Sequence, residues 1–336
     1  MRILLIRYSS LGDVVLAGAV PRAIQRAVPD ADITFITKQA YQPIVEHFDA
    51  RMTVIGVDPQ QSLRNSHRSI AETHFHAVID LHASLRSLRT AFTLRASKRV
   101  RVDKYTWRRR RMVKQKRGLD EPLSVVDNYL RAARRAIPDL DDDEPKLVLT
   151  PEEHARAEEL RLEIPGAIGI GWGARWPTKA VPGDLWSSVL DRLKDHGVAG
   201  VRLFGMGPDK TSMADFAGHL GPLVNRALHV DLALPDLMCH LRACSLYLGP
   251  DSGLTHMAAA LGVPTVAVFG PTHPSLGFAP VGSHTRTIHS GTWCSPCHKH
   301  GAAPCFRERR FCFTEIDPDV VVAAIHDLLP DGRITT

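Results

Sequence analysis

The chain has 336 residues, more than one domain usually holds, so its length predicts two domains. Hydrophobic residues make up 44% and charged residues 23%, a balance that is typical of a soluble enzyme and excludes a disordered or a membrane-spanning chain. The net charge is +6, and most of the excess lies in one short segment.

The first half of the chain alternates short β-rich runs with stretches of helical periodicity. We predict strands at residues 3–6, 31–37, 52–57 and 77–81, and helices near 14–27, 40–48 and 84–95. Alternating strands and helices indicate a parallel sheet covered by helices, which is the α/β class.

The loop after the first predicted strand contains Ser9, Ser10, Leu11, Gly12 and Asp13. It lies at the carboxyl end of its strand, the edge of an open α/β sheet where ligands bind, so Asp13 is well placed to act as a general base. The alternative is that Ser10 or Asp13 only caps the following helix by accepting hydrogen bonds from its first N–H groups.

A strongly basic run covers residues 98–117. It carries eleven lysine and arginine residues against a single acid, Asp103, with Tyr105 and Trp107 interleaved. Such a run predicts an anionic partner, which could be a lipid headgroup, an acidic sugar, a phosphate or a nucleic acid. A solvated face without a partner is the alternative. The interleaved aromatic residues favour an anionic membrane surface.

The second half repeats the alternation. Residues 138–145, PDLDDDEP, combine prolines with an acidic run and form the candidate linker. Beyond them we predict strands at 167–171, 201–204, 246–248 and 265–269, and helices at 185–193, 234–242 and 254–261. Residues 1–150 and 151–336 are therefore expected to form two αβ domains, an organisation typical of an enzyme with a cleft.

The segment 169–182, GIGWGARWPTKAVP, is a predicted strand followed by a Gly-rich loop with two cations, Arg175 and Lys179. A cation there could neutralise the charge that develops on a diphosphate leaving group. The loop is neither a Walker A motif nor a GxGxxG fingerprint, which argues against a P-loop NTPase and a simple nicotinamide dehydrogenase.

A second strand-to-helix junction lies within residues 248–262, LGPDSGLTHMAAALG. The N–H groups and dipole of a helix start attract phosphate, and Gly253 lets a ligand approach the backbone closely. His256, on the first turn, can donate to a phosphate oxygen, although a lone histidine there is more often structural. Thr272, after the next predicted strand, is expected to line the same cleft.

Four of the six cysteines crowd into one segment, as Cys294, Cys297, Cys305 and Cys312. A structural zinc ion held by the four thiolates is one interpretation. Free thiols or a redox-sensitive disulfide are the others, because the second pair lacks the tight spacing of a zinc ribbon. We expect no catalytic metal, since the candidate site already has a base and a cation.

Three stretches resemble glycosyltransferase family 9, the ADP-heptose:lipopolysaccharide heptosyltransferases. They are RILLIRYSSLGDVVLAGAVPRAI at the start, ARWPTK in the middle and DSGLTHMAAALGVPTVAVFGPTHP near the end, followed by CSPC. The resemblance implies the GT-B fold, in which two Rossmann-like domains face each other across a cleft. Residues 1–150 would then bind the acceptor and residues 151–336 the nucleotide sugar.

The resemblance also implies the roles of individual residues. Asp13 matches the catalytic aspartate of the family and Lys179 its phosphate-binding lysine. The residues expected to bind the donor are Arg175, Asp209, Asp251, Ser252, Gly253, Leu254 and His256. The residues expected to contact the acceptor are Ser10, Gly12, Arg99 and Arg101. After the lysine, the usual Arg-Trp-Pro of the family is replaced by Ala180, Val181 and Pro182.

The implied reaction is inverting transfer of a heptose from ADP-heptose to Kdo or heptose of the lipopolysaccharide inner core, with no cofactor required for catalysis. The expected partners are ADP-heptose and a lipid A-Kdo type glycolipid. The protein is expected to be cytoplasmic and to bind peripherally to the inner face of the inner membrane. No nucleic acid is expected as a partner. The alternatives are another nucleotide sugar or acceptor, and a noncatalytic nucleotide-binding or nucleic-acid-binding protein.

Overall fold

The computed structural model describes residues 1–58, 70, 72–194, 198, 200–220 and 225–329, with residues 225 and 226 described by their backbone alone. The chain divides into two compact units. The first comprises Met1–Tyr105 with Val125–Val148, and the second comprises Thr106–Ser124 with Leu149–Thr336. The segment 106–124 therefore interrupts the first unit in sequence and belongs to the second.

The first unit is built around a five-stranded sheet in the order β3-β2-β1-β4-β5, and every pair of neighbouring strands is parallel. Up to Val148 the main elements are β1 (Arg2–Ile6), α1 (Leu11–Leu16), α2 (Ala19–Ala27), β2 (Asp32–Lys38), α3 (Gln42–Glu46), β3 (Thr53–Val57), β4 (His74–Asp80), α4 (Leu85–Thr93), β5 (Arg95–Arg101), α5 (Thr106–Gln115) and α6 (Val125–Arg134). Helix α5 is the member of this series that lies in the second unit.

Strand β1 owes its place at the centre of the sheet to a continuous apolar run. Its residues from Ile3 to Ile6 are fully buried, as expected for a parallel strand covered by helices on both faces. Strand β5 is different, because it lies at the edge and has the basic sequence RASKRVR, with Val100 as its buried residue. Charged side chains on an edge strand discourage pairing with a further strand.

The acidic run 138–145 lies within the first unit. Asp143 pairs with Arg22 (Nε to Oδ1, 3.2 Å) and with Arg26 (Nη2 to Oδ2, 2.7 Å) of α2. Asp142 accepts a hydrogen bond of 2.6 Å from Arg134 of α6. The candidate linker is therefore anchored to helices, and the chain enters the second unit after it, between Val148 and Leu149.

The second unit contains a six-stranded parallel sheet in the order β11-β10-β9-β6-β7-β8. Its elements after Leu149 are α7 (Pro151–Glu163), β6 (Ile168–Gly171), α8 (Gly183–Leu193), β7 (Gly200–Gly205), α9 (Lys210–His219), β8 (Asn225–Val230), α10 (Leu234–Arg242), β9 (Leu246–Pro250), α11 (Gly253–Ala260), β10 (Thr265–Phe269), β11 (Thr285–His289), α12 (Phe311–Thr314) and α13 (Pro318–His326). Counted within the unit, this is the 3-2-1-4-5-6 order of a Rossmann fold.

Both sheets have a topological switch point, the place where the strand order reverses. It lies between β1 and β4 in the first unit and between β6 and β9 in the second. In open α/β sheets ligands bind outside the carboxyl ends of the strands at this place. The loops that follow β1, β4, β6 and β9 are therefore where the fold places candidate sites.

Across the residues that the structure describes, we find no helix that combines the length and the apolar character required to cross a bilayer.

Candidate functional site

The loop after β1 carries a largely buried ion pair. Arg7 Nη2 lies 2.7 Å from Asp13 Oδ2, and Ser10 donates both its backbone N–H (3.1 Å) and its hydroxyl (2.7 Å) to the same oxygen. Burial alone would lower the pKa of Arg7, but the adjacent Asp13 carboxylate raises it. Asp13 thus caps α1, as the structural alternative requires, and also faces a charged partner that a cap does not need. Gly12 lies buried within the same helix.

Tyr129 of α6 approaches Asp13 from the other side. Its hydroxyl donates to Asp13 Oδ1 over 3.4 Å, and the Arg7 guanidinium lies 5.6 Å from the centre of its ring. The tyrosine is buried, so its position is determined by packing of the first unit. The carboxylate of Asp13 is therefore oriented at both of its oxygens.

The loop after β4 adds a second carboxylate and an imidazole. Asp80 Oδ1 accepts the backbone N–H groups of His82 (2.9 Å) and Ala83 (2.8 Å), while Oδ2 accepts the Ser87 hydroxyl (2.9 Å). Burial and the nearby Arg7 guanidinium lower the pKa of His82 to about 4. The imidazole is therefore neutral near pH 7, so that one ring nitrogen donates a hydrogen bond and the other accepts one.

Cations outnumber carboxylates around this switch point. Arg101 Nε lies 3.4 Å from Asp80 Oδ2, and its guanidinium also donates to the Ser84 carbonyl. Partial desolvation and the neighbouring Arg7 and Arg101 lower the pKa of Lys104, although its side chain is still exposed. Three cations thus surround Asp13 and Asp80, an excess that suits an anionic acceptor.

Arg99, which we expected at the acceptor, has a different environment. Its guanidinium donates to the carbonyls of Ala91, Leu94 and Ala96 over 2.6 to 3.1 Å, which ties β5 to the end of α4. These bonds give Arg99 a structural role at that turn. Arg101 and Lys104 are the cations of the basic run that the structure brings to the switch point.

In the second unit the loops after β6, β9 and β10 meet at one ion pair. Lys179 Nζ lies 2.6 Å from Asp251 Oδ2 and donates to the Asp251 carbonyl over 3.0 Å. Thr272 donates its hydroxyl to the same Oδ2 over 2.8 Å. The side chains of Lys179 and Asp251 are only 14% and 9% exposed. The lysine predicted to bind a phosphate is therefore held in place by the aspartate of the donor loop.

Helix α11 begins beside this pair. Ser252 occupies its N-cap position in an extended conformation, Gly253 and Leu254 open the first turn, and His256 is buried within it. The Thr255 hydroxyl donates to the Pro250 carbonyl over 2.6 Å, which fixes the junction. The first N–H groups of a helix have no partner within it, so this terminus can receive a phosphate next to Lys179.

Asp209 follows β7 and reaches the loop after β6. Its carboxylate accepts the backbone N–H of Met206 over 2.9 Å, and a Cβ at position 173 would collide with its Oδ2, so Gly173 is required for this approach. Arg175 of the same loop is exposed, and its guanidinium stacks on Trp176 at 5.7 Å from the ring centre. The structure therefore brings Asp209 to the loop but directs Arg175 to Trp176.

The four clustered cysteines line one cavity of about 20 Å³, as free thiols: Cys294, Cys297, Cys305 and Cys312. Burial raises the pKa of Cys297 and raises that of Cys312 to about 12, so both are protonated near pH 7. In the described part of the chain, no three cysteine, histidine or acidic side chains are placed to hold a metal ion. The geometry favours free thiols, and the zinc ion stays a prediction.

The cysteine segment also contacts the loops that follow β6 and β10. Ser295 donates its hydroxyl to the carbonyls of Gly270 (2.7 Å) and Thr272 (3.2 Å), and Thr178 donates to the Gly301 carbonyl. Gly301 has a φ of +77°, and a Cβ there would lie 2.7 Å from Lys179 Cγ. This segment therefore packs directly against the loop that positions Lys179.

The sequence of residues 63–304, more than two thirds of the chain, matches the family model of glycosyltransferase family 9 (heptosyltransferase). The chain belongs to glycosyltransferase family 9. This family 9 protein is 27% identical to lipopolysaccharide heptosyltransferase 1 of Pseudomonas aeruginosa, with 98% of each chain covered.

Two solved structures share the fold of this family 9 glycosyltransferase. A family 9 glycosyltransferase from Veillonella parvula matches with a TM-score of 0.75 and 20% identity over 97% of this chain and 96% of that one. An Escherichia coli heptosyltransferase with ADP-2-deoxy-2-fluoro heptose matches with a TM-score of 0.68 and 17% identity over 98% and 100%. The predicted α/β class and GT-B fold with two Rossmann-like domains are confirmed.

Sequence reasoning about this glycosyltransferase named Asp13, Lys179 and Asp251 as candidates, and Ser10 beside Asp13, but it did not name Arg7 or Tyr129, which also contact Asp13. Arg7 had a visible signal, because a cation directly after a fully apolar strand must find a partner when it is buried. Tyr129 had no such signal, since it lies 116 residues away from Asp13 along the chain and reaches it through packing alone.

Proposed function

We propose that this glycosyltransferase transfers a heptose from ADP-heptose to the lipopolysaccharide inner core with inversion, using Asp13 as the general base. The observation that carries the proposal is the environment of Asp13. Its carboxylate lies at the switch point of the first unit, is paired with Arg7, and is oriented by Ser10 and Tyr129. Membership of a heptosyltransferase family supports the reaction class.

The two carboxylate oxygens have different partners, which suggests which one takes the proton. Ser10 and Arg7 contact Oδ2 at 2.7 to 3.1 Å. The Tyr129 hydroxyl lies 3.4 Å from Oδ1, which is longer than a strong O–H···O hydrogen bond. We assign Oδ1 as the oxygen that accepts the proton of the acceptor hydroxyl. The acceptor oxygen bonds to the anomeric carbon of the heptose as the bond from that carbon to the diphosphate breaks, and ADP leaves with the electron pair.

The second unit supplies positive charge for the leaving ADP. Lys179 and the start of α11 lie side by side, so a diphosphate on this surface would meet an ammonium group and backbone N–H groups together. Lys179 would exchange part of its bond to Asp251 for a phosphate oxygen. Because these groups already provide the charge, we propose that transfer requires no divalent metal ion.

For the acceptor we propose a lipid A-Kdo type glycolipid, bound on the cytoplasmic face of the inner membrane. Its acidic groups suit the excess of cations formed by Arg7, Arg101 and Lys104 around Asp13. The basic run 98–117 would contact the phosphates and acidic sugars beside it. A donor screen by calorimetry, with ADP-heptose against UDP-, GDP- and other ADP-sugars, tests the alternative that the enzyme uses another nucleotide sugar.

The decisive experiment compares Asp13→Asn with the native enzyme in a transfer assay with ADP-heptose and a Kdo-terminated acceptor. A positioned general base contributes about 10²–10⁴-fold, so we expect kcat to fall by that factor while the Kd for ADP, measured by calorimetry, is unchanged. Ser10→Ala is the control, because it removes one donor to the carboxylate and keeps the base. Near-native turnover of Asp13→Asn would refute the assignment and favour a noncatalytic binding protein in which Asp13 is a cap.

The structural zinc ion is tested separately by metal analysis of the purified protein. About one equivalent of zinc, lost on replacing Cys294 and Cys297 with serine, would support it. A zinc content below a few tenths of an equivalent would leave the four cysteines as free thiols.

A further inference from the structure

The second unit carries an exposed aromatic and basic surface that the transfer chemistry does not use. Its helix part is the outer side of α5, with Trp107, Arg108, Arg110, Arg111 and Lys114. Its loop part is formed by the exposed or half-exposed side chains of Trp293, Phe306, Arg307 and Arg309. Both parts belong to the same compact unit.

The helix part is exposed because α5 is held by its opposite side. Arg109 and Met112 are buried, and Arg109 Nε donates to the Leu276 carbonyl over 2.9 Å. Lys116, one turn further on, donates to the Cys294 carbonyl over 3.1 Å. Arg108 pairs with Glu121 over 3.2 Å, whereas Arg110, Arg111 and Lys114 are exposed together with Trp107, which is 80% exposed.

The loop part presents two large rings. Trp293 and Phe306 are each 69% exposed, and their centres lie 6.5 Å apart in an edge-to-face arrangement. The Arg307 guanidinium lies 5.2 Å from the centre of the Trp293 ring and 4.3 Å from that of Phe311. Because Arg307 covers a face of Trp293, that face is not open for stacking on a nucleobase, which single-stranded nucleic acids require.

The two parts are continuous. Trp293 directly precedes Cys294, whose carbonyl accepts the bond from Lys116 at the end of α5. A ten-residue helix is about 15 Å long, so Trp107 at its start lies about one helix length from the loop part. The two parts are therefore close enough to belong to one surface.

We propose that the helix part and the loop part together bind a bilayer surface with anionic headgroups. Tryptophan and other aromatic rings are favoured at the boundary between headgroups and acyl chains, and arginine and lysine side chains next to them meet lipid phosphates. This surface combines both features, whereas an apolar protein partner would not require so many cations. The proposal deepens the proposed function, because it names the surface by which the enzyme meets the membrane that holds its acceptor.

The test measures co-sedimentation with vesicles of phosphatidylglycerol and phosphatidylcholine (1:1) and with phosphatidylcholine alone. We expect the native protein to prefer the anionic vesicles, with binding that weakens as salt is added. Trp293→Ala/Phe306→Ala should lower the partition coefficient by about tenfold or more, and Trp107→Ala severalfold. Leu162→Ala is the matched control, since Leu162 is 73% exposed in the same unit but lies on α7 beside Glu159 and Glu163.

A second variant keeps the result independent of aromatic packing. Arg307→Gln/Arg309→Gln should lower binding to anionic vesicles by about fivefold per cation at low salt and leave the weak binding to phosphatidylcholine unchanged. Calorimetry with ADP checks that each variant is folded. Native-like binding of both double variants to anionic vesicles, equal binding of the native protein to the two vesicle types, or its release from vesicles by an RNA oligonucleotide would overturn the proposal.

The assay separates this proposal from the proposed function. With an acceptor that lacks acyl chains, Trp293→Ala/Phe306→Ala and Arg307→Gln/Arg309→Gln should keep the native kcat, because these four residues lie outside the basic run 98–117 and at neither switch point. If the native enzyme transferred heptose to no acceptor while the vesicle results held, the transferase proposal would fail and the membrane surface would stand.

Discussion

Each unit places an ion pair at the switch point of its sheet, and the two pairs are built in opposite ways. Arg7 lies on the loop after β1 and Asp13 in the first turn of α1, six residues apart, and the aspartate receives further hydrogen bonds from Ser10. Lys179 and Asp251 lie on loops 72 residues apart, and the aspartate receives a further bond from Thr272. The distances within the pairs, 2.7 and 2.6 Å, are nearly the same.

The difference agrees with the roles that we propose for the two pairs. In the first unit the cation and the other donors all orient the carboxylate, which suits a base that must face an acceptor hydroxyl. In the second unit the carboxylate orients the ammonium group, which suits a cation that must face a phosphate. In the proposed mechanism, the same kind of ion pair would support a base in one half of the chain and a phosphate-binding cation in the other.

After Asp13→Asn, the largest effect is expected from removing the ammonium group of Lys179. Lys179→Met should lower kcat by about 10²–10³-fold, the usual cost of one electrostatic contact in a transition state, and should also weaken ADP binding. Lys194→Met is the control, because Lys194 is 63% exposed and pairs only at the surface with Asp191. Steady-state kinetics would contradict this role if both variants behaved alike.

Removing the supporting cation should change the pH profile more than the donor affinity. Arg7→Met takes away the positive charge beside the base, so the acid limb of kcat/KM should move about one to three units to higher pH. Arg7→Lys keeps the charge and should move it less. The Kd for ADP should stay native in both variants. A uniform loss of rate without a shift of the limb would assign Arg7 to folding alone.

Substitutions at two glycines, Gly301 and Gly262, distinguish the effect of backbone strain on stability from an effect on the position of Lys179. Gly301 and Gly262 have nearly the same φ, +77° and +79°, but only a Cβ at 301 would meet Lys179. Gly301→Ala and Gly262→Ala should each lose about 1–2 kcal/mol of stability from the left-handed conformation. Only Gly301→Ala should also raise the Kd for ADP severalfold. Equal Kd values in the two variants would remove the link between the cysteine segment and the donor loop.

The smallest effect concerns acid stability, and we compare His82 of the first unit with His273, one of several histidines of the second unit whose pKa is lowered. Burial, together with Arg7 near His82 and with His289 near His273, lowers the pKa of both histidines to about 4. The unfolded pKa is about 6.5, so the folded state binds fewer protons between these values. The contribution of each neutral histidine to the free energy of unfolding is therefore fully present above pH 6.5 and is lost as the pH falls toward 4.

Thermal melts at pH 7.5 and pH 5 measure this loss. His82→Gln and His273→Gln should each reduce the fall in Tm between the two pH values by about 2–4 °C. An unchanged fall in both variants would place the acid sensitivity in other groups. A response in one variant alone would show that the two units differ in their coupling to protons.

The central strands could be predicted from the sequence, whereas several edge strands could not. Residues 3–6 of β1 and all of β9 are buried beneath helices on both faces, so they form nearly uninterrupted apolar runs that stand out in the sequence. Strands β5, β8 and β11 lie at the edges of their sheets and carry arginines or histidines, which hide the period of two. Helix α5 was missed for the same reason, because its cations outnumber its apolar residues.

Only those site residues that directly follow a predicted strand could be predicted from the sequence. Asp13 and Asp251 each follow a central strand within one loop, and the switch-point rule brings such residues to the ligand. The partners that orient them depend on packing between distant segments. Tyr129 is the example, because nothing in the residues around it indicates that its hydroxyl reaches Asp13, whereas Thr272 was expected near Asp251 from its place after the next strand.

The interruption of the first unit by residues 106–124 has a consequence for exchanging domains between relatives. A chimaera joined by one cut near position 148 would bring helix α5 from one parent and the loops that receive it from the other. Arg109 and Lys116 would then meet foreign partners in place of the Leu276 and Cys294 carbonyls. Three junctions, at 105/106, 124/125 and 148/149, would keep each core with its own sequence.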